Sequence, residues 1–339
     1  MALDIFQRIQ VGLDEKRQNV AVFLETATEV EKEACLGADA TCLDDHIHVI
    51  DACLEKAEDH TLGLCEVCHQ QVDTTLLEMD YTSTVCLDHY SEEDRRRLES
   101  ELELSQVVQR ALLPRRVPNI AGVELAAFSR PADIIGGDYF DFFKFRDGSN
   151  GMVIADVSGH GVSAGMLMSS LQTAIQTMAP DMDSPAEILQ RLNRFYIHNI
   201  NFTTFVTVFL AKFDPTNRTL SYVNSGHNPP AVFRRSEHKV DWLMPTAPAI
   251  GLAENYLPRT DAVQLSNGDV LLLYTDGLSE AFNNEFEQFG FERIADFLRD
   301  AGDLSPSDML QLVREGVAAH GGSVPLSDDL TLVAMKVGS

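Results

Sequence analysis

The chain has 339 residues, 45% of them hydrophobic, which is enough for two domains and a sizeable buried core. Its 52 acidic and 26 basic residues give a formal net charge of −26, which disfavours attraction of the whole surface to nucleic acid or anionic lipid. No apolar stretch reaches the roughly 18 residues of a membrane-spanning helix, and the N-terminus lacks the basic and apolar segments of a signal peptide.

Residues 1–60 are predicted to form a helical hairpin. Apolar residues recur at spacings of three and four over residues 3–34, and again over residues 43–60, which is typical of amphipathic helices. Gly37 lies between the two patterns and would break the helix there. A packed pair of helices with no active surface is an equally good interpretation of this pattern.

Residues 61–90 carry a metal-binding spacing. Cys65 and Cys68 form a C-x2-C pair, and seventeen residues later Cys86 and His89 form a C-x2-H pair. Three thiols and one imidazole make a closed tetrahedral zinc site, so the spacing predicts one structural Zn²⁺. His69 is an alternative fourth ligand. The other possibility is that the cysteines bind no metal and only fill a small core. All six cysteines lie before residue 91 and favour a reducing cytoplasm over a disulfide framework.

A helical hairpin before this stretch and a helix after it resemble the arrangement of the DksA/TraR zinc-finger family. This chain has His89 where that family has a fourth cysteine. Members of the family reach into RNA polymerase, so the resemblance raises RNA polymerase contact as one alternative. The preferred expectation is a structural zinc that fixes a sensor or dimer module.

Residues 91–113 are predicted to form a connector helix. Ser91 is a good N-cap, the next three residues are acidic, and Pro114 ends the apolar pattern. The basic residues 95–97 are flanked by acids, which indicates a salt-bridged helix face rather than a nucleic-acid patch.

Four stretches of the remaining domain, residues 114–339, place an aspartate at the edge of a predicted strand. Asp156 ends an apolar run and is followed by Gly159 and Gly161; Asp276 ends a second apolar run. Asp138 follows two glycines, and Asp329 opens the last strand. Carboxylates gathered in one pocket raise each other's pKa unless cations neutralise them. Oxygen ligands suit hard divalent ions such as Mg²⁺ and Mn²⁺.

These stretches, in this order, resemble the metal-dependent serine/threonine phosphatases of the protein phosphatase 2C superfamily, and within it the SpoIIE/RsbU-type branch. Two further segments fit that branch: Leu112–Pro114 and Ser225-Gly226-His227-Asn228-Pro229-Pro230. The resemblance covers roughly residues 104–337. It implies an α+β fold, an antiparallel β-sandwich flanked by helices on both outer faces.

The resemblance also implies roles for individual residues. Asp156 would bridge two Mn²⁺ or Mg²⁺ ions, with the backbone carbonyl of Val157 as a further ligand. Asp276 and Asp329 would complete the site of one ion, and Asp138 would hold the other. Two such ions lower the pKa of a water between them, so that it attacks phosphorus at neutral pH.

Some assignments stay open at this point. Eukaryotic superfamily members have a histidine two residues after the bridging aspartate, whereas this chain has Ser158 there and His160 two residues further on. The donor of the leaving-group proton is therefore unassigned. Arg130 is a candidate for phosphate binding. The Ser225–Asn228 turn is expected to have a structural or pocket-wall role.

The predicted function is hydrolysis of phosphoserine or phosphothreonine on a signalling partner in the cytoplasm. By analogy with the branch, the substrate class is a phosphorylated anti-sigma-factor antagonist. The connector helix is expected to pair between subunits of a homodimer. The alternatives are a non-catalytic interaction platform and a regulator that docks on RNA polymerase through the zinc module.

Overall fold

The computed structural model describes residues 41–59, 61–72, 83–132, 134–159, 161–199, 205–322 and 328–338, together with Leu13, Arg17, Leu77, Val324 and Leu326. The chain divides into two compact units, Met1–Ser100 and Glu101–Ser339. Each unit has its own apolar clusters. Among the described residues, no helix combines the length and apolar character that crossing a membrane requires.

The first unit contains helix α1, Thr41–Glu58, and a 3-10 turn, Leu87–His89. Ile50 and Cys53 of α1 pack with Leu13 and Leu62 in a small core. Apart from Leu13 and Arg17, the first helix of the predicted hairpin lies outside the described residues, so the hairpin remains a prediction. Helix α2, Glu92–Leu112, begins in this unit and ends in the second.

The second unit is built on ten strands among its described residues. In chain order they are β1 Val123–Arg130, β2 Tyr139–Lys144, β3 Asn150–Val157, β4 Val206–Asp214, β5 Thr219–Ser225, β6 Ala231–Arg234, β7 Lys239–Trp242, β8 Asp261–Gln264, β9 Val270–Tyr274 and β10 Leu330–Val337. They form two antiparallel sheets of five strands. Sheet A has the order β1-β10-β9-β6-β7, and sheet B has the order β2-β3-β4-β5-β8.

Helices cover each sheet. They are α3 Gly161–Met178, α4 Pro185–Asn199, α5 Asp276–Ser279, α6 Gly290–Ala301 and α7 Pro306–Gly321. Apolar residues of α3 and α4 share one core with sheet B, and residues of α6 and α7 share another with sheet A. A third core joins side chains from both sheets, for example Phe209 of β4 and Leu273 of β9. The layers are therefore helix, sheet, sheet and helix.

This arrangement confirms the predicted α+β domain with two antiparallel sheets. Central strands such as β9, Val270–Tyr274, are buried along their whole length because both faces of each sheet are covered. No pattern in the sequence predicts the short strand β7 or the one-turn helix α5. Helix α5 is too short for any periodicity, and Asp276, expected at the edge of a strand, instead begins this helix.

Candidate metal and phosphate site

Asp138 and Asp329 come from distant parts of the chain and are joined by a hydrogen bond. Asp138 precedes β2 and Asp329 precedes β10, and both are buried. The backbone N–H of Asp138 donates to Oδ2 of Asp329 at 3.2 Å, and the N–H of Ala132 donates to Oδ1 at 2.8 Å. A buried carboxylate that accepts two backbone N–H groups is held in one orientation.

Gly136 makes this contact sterically feasible. A Cβ atom at that position would overlap the Asp329 carboxylate. Gly277 has a similar role in the segment that carries Asp276, because a Cβ atom there would overlap the backbone carbonyl of Asp329. The glycines beside Asp138 and Asp276 therefore let the chain approach Asp329 closely.

Thr275 links the Asp138 carboxylate to the backbone at the start of β10 and was not identified from the sequence. Its Oγ1 donates to Oδ2 of Asp138 at 2.8 Å and accepts from the backbone N–H of Thr331 at 3.0 Å. The side chain is fully buried. A polar residue directly before Asp276, at the end of an apolar strand, was the available signal for it.

Asp156 and Asp276 lie in the same acidic pocket. Asp156 is the penultimate residue of β3, and Asp276 begins α5, separated from the end of β9 by Thr275 alone. Burial, followed by the negative charges of Asp276, Asp328 and Asp329, raises the pKa of Asp156 to about 8. Burial and the charge of Asp328 raise the pKa of Asp276 to about 6. Shifts in this direction are expected where the charges of neighbouring carboxylates repel one another.

Asp138 shares in this crowding. Burial raises its pKa well above the ordinary value, and the charges of Asp156 and Asp329 add to that rise. The structure thus brings together the four aspartates that the sequence motifs singled out. Acceptor-only groups that repel one another in a buried pocket are matched to hard divalent cations, which would neutralise them. The donor set therefore fits Mg²⁺ or Mn²⁺.

Glu280 also acts on this pocket and was missed by the sequence reasoning. It follows α5 directly, and its backbone N–H donates to the carbonyl of Asp276 at 2.7 Å. Its charge contributes to the raised pKa of both Asp156 and Asp276. The spacing of four residues from Asp276, which places both on one helical face, could have identified it.

Val157, the predicted carbonyl ligand, is buried at the end of β3. Its carbonyl oxygen lies against Gly137, where a Cβ atom would stand only 2.9 Å away. The carbonyl thus faces the loop that carries Asp138.

His160 lies outside the described residues. Asp141, three residues after Asp138, is also buried. Its carboxylate bonds to helix α3, where Gln176 Nε2 donates to its Oδ2 at 2.6 Å.

A cleft of about 270 Å³ opens beside Asp138 and Asp329. Arg130, at the exposed end of β1, lines this cleft, as do Arg110 and Gln109 of helix α2. Arg130 is thus a cationic group at the mouth of the acidic site. A guanidinium can bind phosphate in a planar, bidentate manner.

The first unit contains a separate cluster of metal-binding groups. The ligand atoms of Cys65, Cys68, Cys86 and His89 all lie within 4.8 Å of one another. The Sγ atom of Cys65 is 3.6 Å from Nδ1 of His89, and the Sγ atoms of Cys68 and Cys86 are 3.7 Å apart. His69, the alternative ligand, is not in this group of four. Three thiols and an imidazole in this arrangement fit tetrahedral Zn²⁺.

Comparisons with known proteins agree with this geometry. The model of the family "Stage II sporulation protein E (SpoIIE)" matches residues 146–338. The chain is 29% identical over 183 residues to "Phosphoserine phosphatase RsbU" of Bacillus subtilis (strain 168), an alignment covering 54% of this chain and 54% of RsbU. The chain thus spans about half the length of that relative.

Two solved structures share the fold. The SiaA-PP2C domain of Pseudomonas aeruginosa superposes with a TM-score of 0.64 at 24% identity, covering 72% of this chain and 98% of that domain. RsbX, solved in complex with magnesium, superposes with a TM-score of 0.51 at 16% identity, covering 66% of this chain and 99% of RsbX.

Proposed function

Because this chain belongs to the SpoIIE family, we propose that it is a metal-dependent protein serine/threonine phosphatase. The observation that carries the proposal is the convergence of Asp138, Asp156, Asp276 and Asp329 in one pocket. There, burial and mutual repulsion raise the pKa of Asp156 to about 8. Such a pocket is costly for the metal-free protein and is stabilised by bound cations.

Within that pocket, the Asp156 carboxylate and the Val157 carbonyl would be ligands of the two Mn²⁺ or Mg²⁺ ions. Asp276 and Asp329 would hold one ion, and Asp138 the other. When bound, the ions would supply Lewis acidity and a water acidic enough to react at neutral pH. The protein keeps these ligands fixed through Thr275, which binds Asp138, and through the N–H of Ala132, which binds Asp329.

Arg130 would bind the substrate phosphate. It lines the same cleft as Asp138 and Asp329, so its guanidinium can reach phosphoryl oxygens placed beside the carboxylates. A fixed cation at that position would orient the phosphate and offset charge on its oxygens during hydrolysis.

The proposed substrate is a phosphoserine or phosphothreonine on a signalling protein, with a phosphorylated anti-sigma-factor antagonist as the favoured class. The name of RsbU, a phosphoserine phosphatase, supports the chemistry. The alternative is a non-catalytic platform that uses the same fold for binding. Retention of all four aspartates supports the enzyme, because a platform has no need for a buried cluster of like charges.

The test is Mn²⁺-stimulated hydrolysis of an aryl phosphate and of phosphoprotein. Asp156→Asn should lower the rate by about three orders of magnitude, since loss of a shared ligand removes several kcal/mol of charge stabilisation. Asp141→Asn is the matched control, because Asp141 is also buried but bonds to Tyr139 and Gln176. An Asp156→Asn protein as active as the unmodified chain would refute the assignment.

We also propose that the Cys65, Cys68, Cys86 and His89 cluster holds one structural Zn²⁺. Its spacing and the approach of its four ligand atoms to within 4.8 Å support this. A zinc-stabilised module would serve as a regulatory or dimerisation element in the cytoplasm. Contact with RNA polymerase is the alternative role. It predicts that full-length protein captures RNA polymerase and that a Cys86→Ser variant does not.

Helix α2 would join two subunits. One side of α2 carries three exposed apolar residues at helical spacing: Leu104, Val107 and Val108, with exposed fractions of 64%, 63% and 55%. An apolar stripe of this kind is matched to a second copy of itself. Replacing Leu104 and Val108 by Glu should convert a dimer to a monomer in light scattering, whereas Glu103→Ala should not. A monomer before any substitution would exclude the dimer.

A further inference from the structure

The turn between β5 and β6, residues 225–230, is where the chain crosses from sheet B to sheet A. The two sheets each carry part of the acidic pocket: Asp156 lies on β3 of sheet B, and Asp276 follows β9 of sheet A. The separation between these aspartates therefore depends on how the two sheets are held together at this end of the sandwich.

One side of the turn is bonded to the Asp156 strand. His227 is buried, and its Nδ1 lies 2.8 Å from Oγ1 of Thr207. Thr207 stands opposite Asp156 in the β3–β4 register, and its Oγ1 is 3.5 Å from the Asp156 carbonyl. His227 thus reaches the backbone of Asp156 through a single side chain.

The other side of the turn is bonded to the Asp276 segment. Asn228 Nδ2 donates to Oγ of Ser279 at 3.1 Å, and that hydroxyl donates to the Asp276 carbonyl at 3.3 Å. The hydroxyl of Tyr274, two residues before Asp276, donates to the carbonyl of Pro229 at 2.9 Å. Consecutive residues of one turn therefore bond to both parts of the acidic pocket.

The turn itself is rigid. Oδ1 of the fully buried Asn224 accepts from the N–H of His227 at 2.9 Å, and its Nδ2 donates to the Leu243 carbonyl at 2.9 Å. Gly226 has φ +67° and lies against Ala249, so a side chain there would be both strained and crowded. A rigid turn can fix the position of one sheet relative to the other.

His227 is suited to this role as a neutral group. Burial lowers its pKa to about 4, although the backbone carbonyl of Tyr274 opposes that fall. Its Nε2 has no hydrogen-bond partner among the described groups. An uncharged imidazole bonds to Thr207 without adding positive charge that would compete with the cations.

We propose that His227 and Asn228 are positioning residues that hold Asp156 and Asp276, carried by opposite sheets, at the separation required to share divalent cations. The inference rests on the proposed metal site. Without the brace, repulsion among the carboxylates would push the two sheet ends apart, and each ion would lose a ligand from one side.

The test measures Mn²⁺ binding to the full-length protein by titration calorimetry, together with the unfolding temperature of the metal-free protein. Thr207→Val removes the hydroxyl between His227 and Asp156, and Asn228→Ala removes the donor to Ser279. Each should raise the Mn²⁺ dissociation constant about tenfold, and the double variant about a hundredfold, if the two ties act independently.

Asn193→Ala is the matched control. Asn193 is also a buried amide with two backbone partners, Ala253 and Gly251, but it braces helix α4 rather than the acidic pocket. This variant should unfold at a lower temperature and bind Mn²⁺ as the unmodified protein does. His227→Gln should retain part of the affinity lost in His227→Ala, because an amide can still bond to Thr207.

The outcomes separate the two levels of the proposal. If the unmodified protein binds no Mn²⁺, the metal site and the brace are both wrong. If it binds Mn²⁺ and Thr207→Val and Asn228→Ala bind equally well while unfolding earlier, only the brace is wrong, and the turn serves stability alone.

Discussion

The side-chain amide of Gln109 binds both backbone polar groups of Gly136. Its Nε2 donates to the Gly136 carbonyl at 2.6 Å, and its Oε1 accepts from the Gly136 N–H at 3.1 Å. Gln109 lies on α2 and is buried, and Gly136 lies in the loop between β1 and β2 that carries Asp138. The connector helix is therefore bonded to the loop of a proposed metal ligand.

Gln109→Ala should loosen that loop. Loss of two hydrogen bonds leaves buried backbone groups unpaired, at a cost of about 1–3 kcal/mol each. We expect Mn²⁺-dependent hydrolysis to fall about tenfold or more. Gln106→Ala is the control on the same helix, because half-buried Gln106 makes a single bond to the Ile134 carbonyl. Equal rates in the two variants would contradict this prediction.

Glu280→Gln should weaken cation binding modestly. Glu280 is exposed but adds negative charge to the field at Asp156 and Asp276. Removing an exposed charge changes an interaction by up to about 1 kcal/mol, so the Mn²⁺ dissociation constant should rise about two- to fivefold. The rate at saturating Mn²⁺ should stay nearly unchanged. Glu287→Gln makes the same charge change beside Arg293 and should bind Mn²⁺ normally.

The metal-free protein should lose stability as pH rises. Asp156 has a pKa near 8 when folded, against 3.8 for an ordinary Asp. Between these values the folded state binds more protons than the unfolded state, so the free energy of unfolding decreases with increasing pH. The measurement is urea unfolding in EDTA at about pH 5 and about pH 8. Asp156→Asn should show a smaller decrease, and an identical decrease would refute the crowding at Asp156.

Mn²⁺ should reverse this trend. A cation that binds only the folded, deprotonated pocket adds stability as the carboxylates lose their protons. The increase in unfolding free energy caused by Mn²⁺ should therefore be larger at about pH 8 than at about pH 5. A larger increase at the lower pH would contradict the proposed ligands.

Cys86→Ser should abolish zinc binding. Protein purified under reducing conditions should contain about one zinc per chain by elemental analysis, and this variant should contain almost none. Cys53→Ala is the control, because Cys53 is buried in the separate cluster with Leu13, Ile50 and Leu62. Zinc content that is unchanged in Cys86→Ser, or lost equally in Cys53→Ala, would exclude this cluster as the site.

The sequence by itself determined the elements and the chemistry of the candidate site. Apolar runs such as Val270–Tyr274 and the connector-helix pattern of residues 91–113 are local properties, and the structure has a strand and a helix there. Asp156 and Asp276 stood out because each ends an apolar run of the sequence. The C-x2-C and C-x2-H spacing likewise identified four groups whose ligand atoms do come together.

Only the tertiary structure decided which side chains and backbone groups hold those residues in place. Thr275 and Gln109 carry no motif, and their importance comes from contacts across long sequence separations, Thr275 with Asp138 and Gln109 with Gly136. The sequence indicated a turn at His227 and Asn228. It did not indicate that this turn is hydrogen-bonded to both sheets. The physical reason is that side-chain periodicity is set within a segment, whereas pairing between segments is set by how two sheets pack.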